Sequence, residues 1–376
     1  MDFSFSEEQT LLKESVSDFV KSDYAFSDRA AVLESEEGFS RKNLKTFADL
    51  DWNSIPFSEE DGGFGGTAVE LMAVMEEFGK GLVVEPYFSS VILAGSFLRK
   101  AANSSQKEIH IPKIIDGSKI YAAAFSELQS RYDLYDVKTS ATKEGAEYSL
   151  NGEKIFVLGG YAADTLIVSA RTSGKPRDLE GVSLFIVAAD TAGISKENFS
   201  TVDGFKAANL KFENVKVSAG NLLGEEGKGL AILEDVAAEA IIALGAEAVG
   251  ALEILYRKTV EYSKIRVQFN QPIGKFQSLQ MIMSEMFIEH VQVKSMLYMA
   301  VMKFDAGEDV QKSISAFKVQ LGKAIKFIGQ NAIQLHGGIG MTDELDVSHY
   351  FKRVTMIGVM FGDESYHLDR YVRLSC

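Results

Sequence analysis

Three short stretches carry the side chains that a nucleotide cofactor needs. Lys264-Ile265-Arg266-Val267-Gln268-Phe269-Asn270-Gln271-Pro272-Ile273-Gly274-Lys275-Phe276-Gln277 gathers cations, amides and aromatic rings into one run. Gln334-Leu335-His336-Gly337-Gly338-Ile339-Gly340 sets an amide ahead of three glycines. Phe361-Gly362-Asp363-Glu364-Ser365-Tyr366-His367 places two acids directly after an apolar run, residues 356–361. A guanidinium is suited to phosphate, and glycine lets a backbone approach a ligand closely. Taken singly, each stretch reads equally well as a solvated turn or a helix cap.

Other chemistries find little support. None of the five histidines sits in His-Glu-x-x-His, so a metalloprotease is unsupported, and no metal site is expected. No Gly-x-Ser-x-Gly occurs, which removes an α/β-hydrolase. Gly224-Glu225-Glu226-Gly227-Lys228-Gly229 has the wrong spacing for a dinucleotide fingerprint, with carboxylates where a pyrophosphate would sit. Asp61-Gly62-Gly63-Phe64-Gly65-Gly66 is followed by no P-loop lysine and reads as a loop. The sole cysteine, Cys376, permits no intramolecular disulfide and no Cys-based zinc site. Met281, Met283 and Met286 read as core filling. With 39 basic and 53 acidic residues the net charge is −14, which argues against nucleic-acid binding. No leader-like N-terminus and no uncharged apolar window of about 18 residues is found. A soluble cytoplasmic protein without a membrane span is the expectation.

The elements that must position these stretches fall into three regions of the 376 residues. Residues 1–118 read as helices, opened by a capping box at Ser6-Glu7-Glu8-Gln9, with a further helix over 67–80 after the glycine-rich turn. Residues 119–225 read as strands at 120–125, 147–150, 153–157, 165–170, 182–187 and 210–217. Asn151-Gly152 signals a two-residue hairpin between the second and third of these. Successive strands without intervening helices indicate an antiparallel barrel or sandwich. Residues 226–376 read as long helices at 230–263, 276–304 and 314–335. Only five prolines interrupt the whole chain. Helices that are apolar on most faces suggest a bundle whose outer surface also packs, on another subunit.

With this helical, β, helical order, the Arg-x-x-Phe of Arg266 and Phe269, the Gln-x-x-Gly-Gly-x-Gly from Gln334 and the late carboxylate resemble the acyl-CoA dehydrogenase family. Phe5-Ser6-Glu7-Glu8-Gln9 and the Glu60-Asp61-Gly62-Gly63 turn resemble it too. The resemblance implies an α+β multidomain fold: an N-terminal helical domain, a middle β domain and a C-terminal four-helix bundle. It implies bound FAD, an acyl-CoA substrate, an electron-transfer flavoprotein as acceptor and a tetramer, with the adenosine end of FAD held by a neighbouring subunit. It further implies that Arg266 and Phe269 meet the diphosphate and adenine, that Gln277 lies in the same cofactor region, and that Gln334, Gly337 and Gly338 lie under the pyrophosphate. Ser126 matches a Thr that reaches the flavin ring. Phe156 matches a Trp beside that ring, and Ser365 and His367 match cofactor contacts just after the catalytic acid.

In the family a carboxylate takes the α-proton of the thioester while flavin N5 takes the β-hydride, giving a trans-2-enoyl product. Register from Arg370 puts Asp363 on that carboxylate, one methylene shorter than the usual Glu. Glu364 beside it and Glu239 on the first long C-terminal helix are alternatives, as is a chain with no base. The middle region lacks Gly-Ala-Gly-Ser-Asp and has Leu128-Gln129-Ser130-Arg131-Tyr132-Asp133 instead. Leu158 replaces a hydroxyl-bearing contact, Ile241 falls near where many members carry an Arg that helps hold CoA, and Gly362 replaces an aromatic, which should widen the pocket. Gly-Asp-x-x-x-His resembles a divergent branch that takes dicarboxylyl, aromatic or steroid-side-chain thioesters, some as two-gene heterotetramers. Two further readings follow: a weakly active or inactive partner subunit, and a flavin oxygenase on the same fold.

Overall fold

A computed structural model of the chain describes residues 5–375. Cys376 and residues 1–4, on which the disulfide and leader readings rest in part, lie outside them. The helices are α1 (Glu7–Ser22), α2 (Phe26–Glu34), α3 (Arg41–Asp49), α4 (Ala68–Gly81), α5 (Gly95–Ala101) and α6 (Ser104–Ile115), then α7 (Gly229–Ile265), α8 (Gln277–Asp305), α9 (Gln311–His336), α10 (Asp346–Val359) and α11 (Glu364–Arg373). A π-helical segment, Phe88–Ala94, leads into α5. The strands are β1 (Tyr121–Ala124), β2 (Ser140–Glu144), β3 (Glu147–Leu158), β4 (Thr165–Arg171), β5 (Val182–Ala188), β6 (Ile194–Ser200), β7 (Lys206–Ser218) and β8 (Leu222–Leu223). A two-stranded ribbon follows α7: β9 (Val267–Gln268) and β10 (Gln271–Pro272). The capping box is formed: the Ser6 hydroxyl accepts from Gln9 N–H, and Gln9 Oε1 accepts from Ser6 N–H.

The chain divides into two compact units. The first takes in the chain up to Ala31, Ala68–Val83 and everything from Ile241 onwards. Its centre is α9, which packs against α8, α10 and α11 through Ile314, Phe317, Leu321, Ile325 and Ile328, all buried. Burying such a helix stripe removes apolar area from water at roughly 25 cal/mol per Å². α4 crosses α7 at Gly79 and Gly250; a methyl at either would come within 1.9 Å of a carbonyl oxygen of the other helix.

The second unit takes in Val32–Thr67 and Val84–Ala240. It holds one eight-stranded sheet in the order β6-β7-β3-β2-β4-β5-β8, with β1 beside β4. Tyr148, Leu150, Val168, Phe185, Leu210 and Phe212 build its core. The pairing is antiparallel except that β1 runs parallel to β4, and β2 touches β4 in parallel at Ser140 and Arg171. β2, β6 and the short β8 have no counterpart among the strands expected from the sequence.

The expected hairpin at Asn151-Gly152 is not there. Residues 147–158 form one continuous strand, β3, paired to β2 on one side and β7 on the other. A two-residue turn of this kind needs positive φ at both positions. Gly152 has φ +148, while Asn151 stays in register with Ser140, so the pair makes a bulge on the β7 side instead. Ladder pairing on both edges overrides local turn preference. The hairpin sits six residues earlier, at Gly145-Ala146, between the paired residues Glu144 and Glu147.

Candidate functional site

In the helical unit the α7–α8 connection is a two-residue hairpin. Gln268 pairs with Gln271, and Phe269 and Asn270 between them have φ +50 and +63. Positive φ at both positions marks the turn type that suits strand twist, and it normally selects Asn and Gly. A Phe in this region is an outlier that the surroundings must hold. Phe269 is 87% exposed, its edge set against Phe276 at 6.1 Å. Arg266 is exposed at the base of the hairpin; its N–H donates to Tyr262 O at 2.9 Å and its carbonyl accepts from Ile273 N–H at 2.8 Å. Among the described residues no carboxylate lies within ion-pair distance of its guanidinium. Gln277, exposed, begins α8.

The same end of the bundle carries the glycine segment. The Tyr262 ring stacks on His336 at 4.4 Å, and its hydroxyl donates to His336 O at 3.4 Å. Gln334 is exposed on the last turn of α9. Gly337 has φ +67, and a Cβ on Gly337 or Gly338 would meet nothing within 4 Å. The Tyr262–His336 contact thus links the hairpin that carries Arg266 and Phe269 to the end of α9 that carries Gln334, Gly337 and Gly338, an exposed cation and ring on one side and open backbone on the other.

Asp363 lies elsewhere in this unit. It is the N-cap of α11, accepting from Tyr366 N–H at 2.9 Å. Glu364 faces α9 and pairs with Lys326 at 2.9 Å. Ser365 is exposed. His367, expected as a cofactor contact, is 0% exposed, with Nε2 3.0 Å from Phe361 O and Nδ1 3.4 Å from Ser315 Oγ. Burial pulls its pKa down to about 4, helped by the Lys318 ammonium, so the ring is neutral. The expectation that Gly362 leaves open space is also corrected. Gly362 has φ +113, and a Cβ there would lie 2.5 Å from the Tyr366 ring and 2.6 Å from His367 Nε2.

In the sheet unit Ser126 and Phe156 are neighbours, because Ile155 N–H donates to Ser126 O at 2.9 Å. Phe156 stands at a β3 bulge with φ +54, its N–H donating to Asn209 Oδ1 at 3.2 Å. Two residues before it Lys154 is fully buried, donating to Glu127 Oε1 at 2.7 Å and Ser169 Oγ at 2.9 Å. Burial pulls Lys154 down to about 8. Burial pushes Glu127 up, but the Lys154 ammonium, Gln129 and the Lys138 N–H outweigh it and hold the carboxyl at about 2. Glu239 is buried in this unit and ion-paired to Arg99, with Ser96 Oγ donating to it at 2.7 Å. Leu158 is half-buried beside the bulge and Ile241 is buried on α7. Arg131, in the divergent loop, is exposed with φ +46 and no ion pair among the described residues.

Sequence reasoning did not single out Lys154, Glu127 or Lys318. Lys318 had a signal, a lysine amid the apolar stripe Ile314, Phe317, Leu321. The Met stripe was read as core, yet Met286 is buried whereas Met281 is 60% exposed.

Three family profiles match the chain: acyl-CoA dehydrogenase N-terminal domain over residues 6–118, middle domain over 122–215 and C-terminal domain over 227–373. The NADH-dependent acryloyl-CoA reductase of Anaerotignum propionicum is 30% identical over 98% of the chain and 94% of its own length. Butyryl-CoA dehydrogenase from Megasphaera elsdenii superposes with a TM-score of 0.92, 26% identity and full coverage of both chains. An FAD complex of PigA superposes with a TM-score of 0.92 and 26% identity, over 100% of this chain and 99% of that one. No helix among the described residues is long and apolar enough to cross a membrane.

Proposed function

Because the chain belongs to the acyl-CoA dehydrogenase family, an FAD-binding family of oxidoreductases, we propose that it dehydrogenates an acyl-CoA thioester between its α and β carbons, with Asp363 taking the α-proton. The observation that carries this reading is the state of the three candidate carboxylates. Glu239 is committed to Arg99 and Ser96, and Glu364 to Lys326. Among the described residues Asp363 has no cation within ion-pair distance, and its contact is a backbone N–H. One carboxylate oxygen caps α11; the other can accept a proton.

FAD supplies the hydride acceptor when bound, and the residues present fit it. Arg266 would neutralise its diphosphate and Phe269 would stack on adenine, with Gln277 alongside. Gln334, Gly337 and Gly338 would offer an amide and open backbone to the pyrophosphate, and Ser126 and Phe156 would border the ring. Ser365 stays a contact in this reading and His367 does not. The partners are an electron-transfer flavoprotein and further copies of this chain or of a homologue. The relative named as a reductase of acryloyl-CoA runs in the opposite sense, so both directions are worth assaying.

The test is expression of the chain alone. A yellow protein bleached by members of an acyl-CoA panel supports the proposal, and the panel identifies the acyl group. Asp363→Asn should retain FAD and slow bleaching by about 10²–10⁴-fold, the usual worth of a positioned base. Wild-type bleaching rates in that variant would move the base elsewhere. A protein that turns yellow only beside a co-expressed homologue would make the chain a partner subunit.

A further inference from the structure

Two buried basic side chains of the helical unit remain unexplained by the reaction. Lys318 is 3% exposed inside the apolar stripe of α9. Its ammonium donates to Met360 O at 2.8 Å, Ile357 O at 3.2 Å and Gly358 O at 3.4 Å. These carbonyls lie at the C-terminal end of α10, where a cation is favoured; Ile357 O also accepts from Met360 N–H at 3.2 Å. On the other side, His367 Nε2 lies 3.0 Å from Phe361 O. A carbonyl only accepts, so this nitrogen carries the proton. Two successive carbonyls, Met360 and Phe361, are therefore held by side chains from α9 and α11.

Phe361 itself has φ +56 and Gly362 φ +113. Such backbone persists only where surrounding contacts fix it. Only Gly362 separates the held carbonyls from Asp363. The same α9 face continues the grip: Ser315 meets His367, Gly322 passes close to Glu364, and Lys326 pairs with Glu364.

Resting on the dehydrogenase reading above, we infer that Lys318 and His367 are positioning residues that clamp the 360–361 carbonyls and so set the direction of the Asp363 carboxylate and N–H. Lys318 spends its donors on carbonyls and makes no ion pair with Asp363 among the described residues. Burial pulls its pKa to about 7, opposed by the Asp363 carboxylate. His367, being neutral, donates a hydrogen bond without adding charge beside the base. A displacement of about 1 Å at a reacting group can cost 10²-fold in rate.

The test compares flavin-loaded wild type with Lys318→Met, His367→Leu and His367→Gln. Hydrogen exchange is followed over the peptides covering residues 358–366, and single-turnover flavin reduction is measured with an active acyl-CoA. Lys318→Met and His367→Leu should exchange faster in that segment and reduce flavin about 10²-fold more slowly, while a non-reducible thioester binds within threefold of wild type. His367→Gln, whose amide can still donate, should recover at least tenfold of the rate lost in His367→Leu. Unchanged local exchange in both Lys318→Met and His367→Leu overturns the clamp whether or not the protein is a dehydrogenase. Faster exchange with unchanged flavin reduction overturns the positioning role and leaves the dehydrogenase reading intact. Wild type that no acyl-CoA reduces overturns that reading, and with it the role toward a base, whatever the exchange shows.

Discussion

At the residue scale, three phenylalanines hold left-handed backbone beside the candidate chemistry: Phe156 at the sheet bulge, Phe269 at the hairpin tip and Phe361 ahead of Asp363. An L-residue there costs roughly 1–2 kcal/mol. No sequence signal marks these conformations, because Phe is not a residue that chooses them. The resemblance did point to the positions of Phe156 and Phe269, and the structure adds that both are held against preference. At Phe269 the ring is exposed, so packing gives little in return. Phe269→Gly should therefore leave the thermal midpoint unchanged or slightly higher, by no more than about 1 kcal/mol of relieved strain offset by glycine's entropy. The same variant should lose FAD on dialysis faster than wild type. Measured flavin content equal to wild type would remove the ring from the cofactor contact.

At the scale of elements, the long helices were legible because their apolar periodicity extends over many turns. The 230–263, 276–304 and 314–335 expectations all lie within α7, α8 and α9, give or take an end residue. The sheet was less so. β6 alternates weakly and is mostly exposed, and Asn151-Gly152 carried a turn signal that pairing on both edges suppressed. Lys154 shows why burial is hard to read from sequence: a lysine on a strand is ordinarily a solvent-facing residue. Here its pairing with Glu127 fixes the strand just before the Phe156 bulge. The Glu127 carboxyl sits at about 2 in the fold, below its ordinary 4.5. The unfolded chain therefore takes up this proton first as pH falls. The stabilisation is complete above about pH 4.5 and drains away toward pH 2. Glu127→Gln should melt below wild type at pH 7, by an amount on the order of 3–5 kcal/mol for a broken buried pair. The gap between the two midpoints should narrow as pH drops from 4.5. A constant gap across that window would mean the carboxyl is not held ionised by Lys154.

At the scale of the whole molecule, the candidate groups of the helical unit form two separate clusters. Lys318, under the Asp363 loop, and Gln334, beside Gly337, are sixteen residues apart on one straight element, a rise of about 24 Å. Arg266 and Phe269 belong to the Gln334 end, through Tyr262 and His336. This spacing supports the proposal that one copy lends its Arg266 end to the flavin of another. The acidic net charge of −14 offers no general attraction for CoA, so under the proposed function attraction would come locally, from cations such as Arg266 and Arg131, which have no ion pair among the described residues. An outward stripe of α8 is a candidate face for that association: Met281, Phe287, Ile288 and Val291 are each between 44 and 60% exposed. Contiguous apolar surface of this kind marks an interaction face more often than a free one. Ile288→Glu places a charge at the middle of that stripe without touching the core of its own bundle. We expect wild type to elute as an oligomer by light scattering and Ile288→Glu to shift toward monomer, with its circular dichroism unchanged. Flavin content should fall together with the oligomer, since the Arg266 end would then have no neighbour to serve. A monomeric Ile288→Glu that keeps its full FAD would show that one chain completes the cofactor site alone.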